Sequence, residues 1–525
     1  MVPINPDLRS DRYASHRKPT EQLVFDRFLY FFLDGAKKTK AVVLVKTATL
    51  SAIMVLPFFV LRWRHALRQR RFFLFTDKYV HLPKSMLFKV IPAITVVFLQ
   101  PMFKHPGVLL IVLSVLVLIE YYCFTAINTA FRSASGLTRI IIISLYLLVS
   151  IAVFYTAFSI RHWETSTWDP TVRTLVIALF MGIVVAKLLM TLIMGVDDLR
   201  RLIVWISRKA TSTPALTADA SREVLPVSEG ITRSRFIARS ALLVGGLVLG
   251  GFVWGTRNKY RYQIKRVRVP IPGLPDAFKG LRIVQISDIH SGSFDDPEAV
   301  KHGIDLVMGE KADLILFTGD LVNDRASEVV PYRDIFSRLK APMGVYSILG
   351  NHDYGDYVQW ESDEAKKQNL ERLKQHHAEM GWKLMMNEHK IFERNGAKIA
   401  LLGIENWGAK ARFPKYGDMS KAYAGLEQQD IPVKILMSHD PSHWDAEVRK
   451  SYPDIQLTLS GHTHGMQFGV LLPWMKWSPV KYVYKQWAGL YTEKQQHLYV
   501  NVGYGFLGYP GRLGILPEIT VLELV

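Results

Sequence analysis

The chain has 525 residues, 65 Lys and Arg against 46 Asp and Glu, one cysteine and a mean hydropathy of +0.11. That length excludes a single ordinary domain, and so high a hydropathy beside a large polar segment requires part of the chain to be strongly apolar. The lone Cys123 excludes an intrachain disulfide. The basic excess gathers in the N-terminal half beside apolar runs, where it sets membrane orientation, so no nucleic-acid partner is expected.

Residues 1–106 form an N-terminal region with two weak candidate spans, 41–61 with Lys46 inside and 87–103 with Lys89 and two prolines. Transmembrane helices are predicted within 107–196, at 108–127, 140–158 and 175–196, the last interrupted only by Lys187. Residues 197–239 read as a basic cytoplasmic linker, rich in Thr, Ser, Ala and Pro over 210–230. A further span, "SALLVGGLVLGGFVW", covers 240–254. Arg233 and Arg235 before it are not adjacent, so they read as a basic flank rather than a twin-arginine export signal.

Lysine and arginine in the short loops give the orientation. The segment after Leu61, the turn with Arg132 and Arg139, and the linker with Arg200, Arg201, Arg208 and Lys209 go inside; the near-neutral loop 159–174 goes outside. Crossings then alternate, and everything after Trp254 lies outside the cytoplasm. A crossing at 41–61 would put the basic N-terminus outside as well, so the later spans fix the reading.

From residue 260 the pattern changes. Short β-rich runs are predicted at 281–287, 313–318, 344–349, 398–404, 433–438, 455–459, 497–502 and 519–524, with helices at 297–309, 329–339 and 361–380. This alternation predicts a layered α/β domain over 260–525.

The ends of these strands carry metal-ligand side chains. "SDIH" brings Asp288 and His290, "GDLVN" Asp320, "GNHD" Asn351 to Asp353, "SHD" His439, and "GHTHG" His462 and His464. Loops at strand ends converge on one sheet edge, where α/β folds bind ligands. Mixed Asp, Asn and His donors suit Mn, Fe or Zn, and two such cations side by side clamp the attacking and leaving oxygens of a phosphoryl displacement. Gly319, Gly350, Gly461 and Gly465 are expected to let the backbone turn each donor inward. Singly, each motif reads as a strand-end cap or a surface pair; the ordered set carries the signal.

The set "DIH … GDLVN … GNHD … SHD … GHTHG" resembles the calcineurin-like metallophosphoesterase superfamily, and with "NVGYGFLGYPGRLGILPEIT" it looks most like the membrane-attached bacterial branch. The resemblance implies a β-sandwich with helices on both outer faces. It implies two divalent metal ions, one held by Asp288, His290 and His464, the other by Asn351, His439 and His462, with Asp320 between them. It also implies His352 as proton donor to the leaving oxygen or stabiliser of the transition state, oriented by Asp353. Where the family commonly has a second glycine after the second histidine, Met466 follows Gly465, which puts bulk near the metal loop. The whole reads as a membrane-anchored phosphohydrolase, with its domain outside a bacterial inner membrane and an envelope or lipid-linked phosphoester as substrate. The alternatives are a catalytically silent metal-binding scaffold and a transporter with a regulatory domain.

Other residues carry weaker signals. His302, His376, His377, His389 and His497 read as ordinary surface or core residues, Asn323 as ordering its loop, and His443, Asn387 and 405–407 as candidates for the pocket's surroundings. The stretch "LLPWMKWSPVKYVYKQW", 471–487, suits either a membrane interface or a packed loop over the sandwich.

Overall fold

The structure is a computed structural model that describes residues 106–159, 168–211, 232–410 and 415–525. The candidate spans 41–61 and 87–103, residues 160–167 of the 159–174 loop and residues 212–231 of the linker lie outside the described residues.

Four helices open the described chain: α1 (Pro106–Ala130), α2 (Gly136–Ser159), α3 (Pro170–Thr211) and α4 (Arg233–Gly255). Three helical stretches among the described residues are long and apolar enough to cross a membrane, Gly136–Ala157, Pro170–Ala210 and Arg233–Asn258, and Ser114–Ala130 is a shorter apolar helix. The described residues of 106–124 and 131–146 form one compact unit, in which the Tyr146 hydroxyl donates to the Glu120 carboxylate. The other unit holds 125–130 and the described residues that follow 146.

Helix α3 starts where Asp169 accepts from the Thr171 and Val172 amides and Pro170 fills the first turn. It does not stop at Val196. Its 42 residues span about 63 Å, roughly twice the hydrocarbon core. The polar end that sequence assigned to the linker is helical to Thr211 because Asp197 pairs with Arg200 at 3.2 Å and Arg201 at 2.7 Å, three and four residues on. Helix α4 likewise begins seven residues before the apolar run, at Arg233, whose side chain lies 3.8 Å from Asp197.

Beyond residue 260 two six-stranded sheets face each other. One has the order β1-β14-β2-β3-β4-β5 and the other β12-β13-β9-β8-β7-β6. In chain order the strands are β1 (Gln263–Val269), β2 (Arg282–Ile286), β3 (Leu314–Phe317), β4 (Val345–Ser347), β5 (Lys383–Leu384), β6 (Glu388–Arg394), β7 (Ala397–Gly403), β8 (Val433–Met437) and β9 (Leu457–Ser460). A separate hairpin follows, β10 (Val470–Leu472) with β11 (Met475–Trp477), then β12 (Gly489–Glu493), β13 (Gln496–Val500) and β14 (Glu518–Leu524).

The central strands are apolar on both sides because both sides are covered. Leu314 and Leu316 of β3 meet Ile399, Leu401, Ile435 and Leu459 between the sheets, while Ile315 and Phe317 turn outward to Val300, Ile304 and Val307 of helix α5 (Pro297–Gly309). The second sheet turns Leu402, Leu436 and Val500 to its own cover, Met419, Tyr423 and Trp444. The expected sandwich with helices outside is therefore present. Helix α6 (Asp363–Glu379) matches expectation, starting where Ser362 accepts from the Ala365 amide. The helix expected over 329–339 is instead a 3-10 stretch, Ala326–Tyr332, and one α-turn, Arg333–Phe336; Pro331, which lacks an N–H, interrupts it.

Candidate metal centre

Strands β2, β3 and β4 run parallel in one sheet, and β7, β8 and β9 run parallel in the other. Their C-terminal ends deliver Asp288 and His290, Asp320, Asn351, His439, and His462 with His464 to one edge. The turning expected of the glycines is done largely by the donors. Asp288 (φ 51°), His290 (51°), Asp320 (62°), His462 (71°) and His464 (48°) all sit in the left-handed region, which costs a non-glycine residue of order 1 kcal/mol or more. Gly319 (φ 95°) and Gly465 (φ 56°) do turn, but Gly461 is required for proximity: a Cβ there would lie 1.9 Å from Ser287 Oγ and 2.2 Å from Asp288 Oδ2.

Two groups of donors result: Asp288, His290 and His464, and Asp320, His439 and His462. In the first, His290 Nε2 faces His464 Nε2 at 3.0 Å and Asp288 Oδ1 lies 3.3 Å from the latter. In the second, Asn351 Oδ1 lies 2.8 Å from His462 Nδ1 and 3.1 Å from His439 Nε2. Asp320 Oδ2 stands 3.2 Å from His439 Nε2 and 3.5 Å from His290 Nε2, so one oxygen faces both groups.

Electrostatics agree with a cation site. Burial holds the His290 imidazole down to about 3 and that of His464 well below its usual value, so both rings are neutral. Two neutral rings with their Nε2 atoms face to face can share one proton, which leaves the surrounding carboxylate oxygens unanswered; a divalent cation answers all of them. Burial raises Asp288 to about 6. Burial opposes the charge of His439, but Asp320 outweighs it and raises His439 to about 10; reciprocally, His439 and His352 overcome burial and hold Asp320 well below the carboxylate range. The proton on the His439 ring is thus the one that a cation would displace.

Outer partners aim these rings. His439 Nδ1 donates to the Thr318 carbonyl at 2.7 Å, leaving Nε2 inward. The Tyr484 hydroxyl donates to Asp440 Oδ2 at 3.2 Å and accepts from His462 Nε2 at 2.8 Å, leaving the Nδ1 lone pair inward. The wholly buried Arg512 donates from Nη1 to the carbonyls of Val502 and His464 at 2.8 and 3.3 Å.

His352 lies at the edge of the centre, its ring 5.0 Å from that of His290. Its Nδ1 donates to the Asn323 carbonyl at 2.8 Å and its amide to Asp320 Oδ1 at 2.9 Å. Asp353 does not orient it. That carboxylate accepts instead from the amides of Asp320, Leu321, Val322 and Gly350 at 2.8–3.2 Å, so it ties two ligand loops together; burial and the nearby Asp320 raise it to about 7.

Sequence reasoning singled out neither Tyr357 nor Asp440 and left Tyr484 inside an undifferentiated aromatic stretch. Asn351 Nδ2 donates to the Tyr357 hydroxyl at 2.9 Å, and the Tyr357 ring packs 4.6 Å from His352. Asp440 was legible as the residue after His439; nothing in the sequence marks Tyr357 or Tyr484. His443 is structural: Ser438 Oγ is 2.9 Å from its Nδ1 and the Trp407 ring packs against it, tilted, at 4.4 Å. Asn387 and Glu405 bond to each other at 2.7 Å rather than to the centre. Met466 is half-exposed.

Residues 281–466 match the family model for calcineurin-like phosphoesterases, and 105–259 match one described as a probable calcineurin-like phosphoesterase transmembrane domain. An uncharacterized metallophosphoesterase of Bacillus subtilis, YkuE, is 30% identical over 54% of this chain and 93% of its own length. The chain belongs to the calcineurin-like metallophosphoesterase family. The Escherichia coli phosphodiesterase YaeI is 28% identical over 56% of this chain and its full length. A zebrafish transmembrane protein with a metallophosphoesterase domain is 31% identical over half of this chain, which spans 57% of that relative.

Proposed function

We propose that the chain is a membrane-anchored phosphohydrolase, acting on a phosphomonoester or phosphodiester at a dinuclear metal centre. The observation that carries this is Asp320 Oδ2 facing both donor groups, 3.2 Å from His439 and 3.5 Å from His290. Asp288, His290 and His464 would hold one cation, Asn351, His439 and His462 the other, and Asp320 would touch both. Mn, Fe or Zn fits these mixed donors better than an all-oxygen cation. When bound, the pair would acidify a water and neutralise charge on the phosphoryl oxygens.

The chain's own residues do the rest. His352, with Nδ1 committed to the Asn323 carbonyl, keeps Nε2 for a proton to the leaving oxygen. Asp353 holds the Asp320 and Asn351 loops in register through four amides. A silent scaffold would be expected to have lost donors, and every expected donor is present at the edge.

The domain is read as extracytoplasmic, on a bacterial inner membrane, with an envelope or lipid-linked phosphoester as substrate. Supporting this, Thr174 near the start of α3 lies 3.3 Å from Asp295 of the domain, and the Gly255 carbonyl ending α4 accepts from the Arg512 amide at 3.0 Å. The basic residues Arg200, Arg201, Arg208, Lys209, Arg233, Arg235 and Arg239 occupy the opposite helix ends, which belong inside.

Hydrolysis of bis-p-nitrophenyl phosphate by the purified, Mn²⁺-loaded protein tests the chemistry; no turnover, or turnover that survives Asn351→Ala, rejects it. Exported-phosphatase fusions after residue 260 test the side, and a silent fusion there rejects the extracytoplasmic reading.

A further inference from the structure

The stretch 471–487, which sequence left between a membrane interface and a packed loop, has two faces. Its inner face is core: Val480, Tyr484 and Trp487 are buried with Val502 and Ile515, and Leu471 packs on them. Its outer face is bare. In the described part of 260–525, nine large apolar side chains are exposed, and six of them (Met466, Leu472, Trp474, Met475, Tyr482 and Val483) fall between 466 and 483. Trp474, at the tip of the β10–β11 hairpin, is 80% exposed and Tyr482 74%. A soluble surface rarely concentrates apolar groups in this way without a partner.

The base of the hairpin indicates the partner. Phe468, two residues before β10, stacks on Phe252 of α4 at 5.7 Å and approaches Trp477 of β11 at 6.2 Å. Ala178 of α3, Phe252 and Tyr509 form one buried cluster, with Phe468 and Leu513 against it. The hairpin therefore rises from the place where two membrane-crossing helices meet the domain, and Trp254, at that end of α4, is itself half-exposed. Exposed Lys481 and Lys485 flank the aromatic face, and Lys481 Nζ sits 5.3 Å over the Tyr482 ring. Trp and Tyr with Lys, continuous with the end of a membrane helix, is the composition that partitions into the headgroup layer.

We propose that the β10–β11 hairpin and the turn Pro479–Tyr482 form a lip that dips into the bilayer interface beside the metal centre and presents the centre to phosphoesters borne on lipids. The lip and the centre are one piece of structure, since Tyr484, two residues past Tyr482, holds His462 at 2.8 Å. The position of the lip in the membrane is independent of catalysis; its use for a lipid-borne substrate rests on the phosphohydrolase reading above.

Two measurements separate these. In full-length protein with Cys123→Ala, Trp474→Cys carries an environment-sensitive NBD dye, and the protein is reconstituted in phosphatidylethanolamine–phosphatidylglycerol vesicles. Quenching by doxyl-labelled lipid with protection from aqueous iodide is expected. Quenching by iodide alone overturns the proposal, and so does protection from both quenchers, which would mean a second copy or another protein covers the face. The double variant Trp474→Ser, Tyr482→Ser is then assayed on hexadecyl p-nitrophenyl phosphate held in the same vesicles and on water-soluble bis-p-nitrophenyl phosphate. Loss of roughly tenfold or more is expected on the vesicle substrate, with the soluble one within about twofold. Equal loss on both, or on neither, overturns the lip's role in presenting lipid-borne substrate. Absence of turnover by the unaltered protein on either substrate would remove the hydrolase reading and leave the quenching result to decide the lip by itself.

Discussion

The Tyr484 hydroxyl stands 2.8 Å from His462 Nε2, and it is the group that turns the other ring nitrogen of His462 toward Asn351. Without it Nε2 loses the hydroxyl that fixes its tautomer. Tyr484→Phe keeps the ring and its packing, so the fold should persist. Metal affinity should fall by about 10–100-fold, the usual effect of losing a partner of a metal ligand. Isothermal titration with Mn²⁺ checks this, and unchanged affinity would show that Asp440 suffices alone.

Gly461→Ala places a methyl where Ser287 Oγ and Asp288 Oδ2 already are. The loop must shift, costing about 1–3 kcal/mol as overpacking does, and Asp288 loses the His462 amide it accepts at 2.9 Å. Elemental analysis should find less than the full complement of bound metal. A fully loaded variant would mean that the loops have room to spare.

His352→Gln should lower kcat by roughly 10²–10⁴, the range for loss of a general acid, while metal content stays unchanged, because the ring's Nδ1 is bonded to the Asn323 carbonyl rather than to a donor. A phosphoester with a highly acidic leaving group should recover much of the rate. If metal is lost as well, the residue belongs among the ligands.

His377, on α6 and 2.9 Å from Ser347 Oγ, is held neutral by burial, its value lowered to about 3. An unfolded histidine takes its proton near 6.5, so between there and about 3 the unfolded state binds more protons. Stability is therefore full above about pH 6.5 and is lost as pH falls through that window, by about 2 kcal/mol at pH 5. Hydrogen exchange across Asp363–Glu379 at pH 7 and pH 5 should show this loss, and His377→Gln should flatten it.

What sequence could reveal follows from where the information lies. The donor motifs follow apolar strands buried on both faces, and a run such as "LILF" of β3 announces itself. Strands β1, "QIKRVRV", and β6, "EHKIFER", were missed because each is an edge strand with charged, exposed positions, and only pairing with β14 and β7 makes them strands. The candidate donors were legible because each follows a strand closely in sequence. Tyr484, Tyr357 and the true role of Asp353 were not, since these depend on contacts between loops that local pattern does not encode. The polar end of α3 was read as linker because hydropathy falls there, although its i,i+3 and i,i+4 charge pairs were present in the sequence.

Arg512 joins the Gly255 carbonyl, through its amide, to the His464 carbonyl, through its guanidinium. A truncated soluble fragment cut at 260 would discard the first of these anchors along with Phe252, so the loop carrying the second imidazole would be pinned from one side only. Weak metal retention by such a fragment would report on where it was cut, and only the intact chain gives the centre's own affinity.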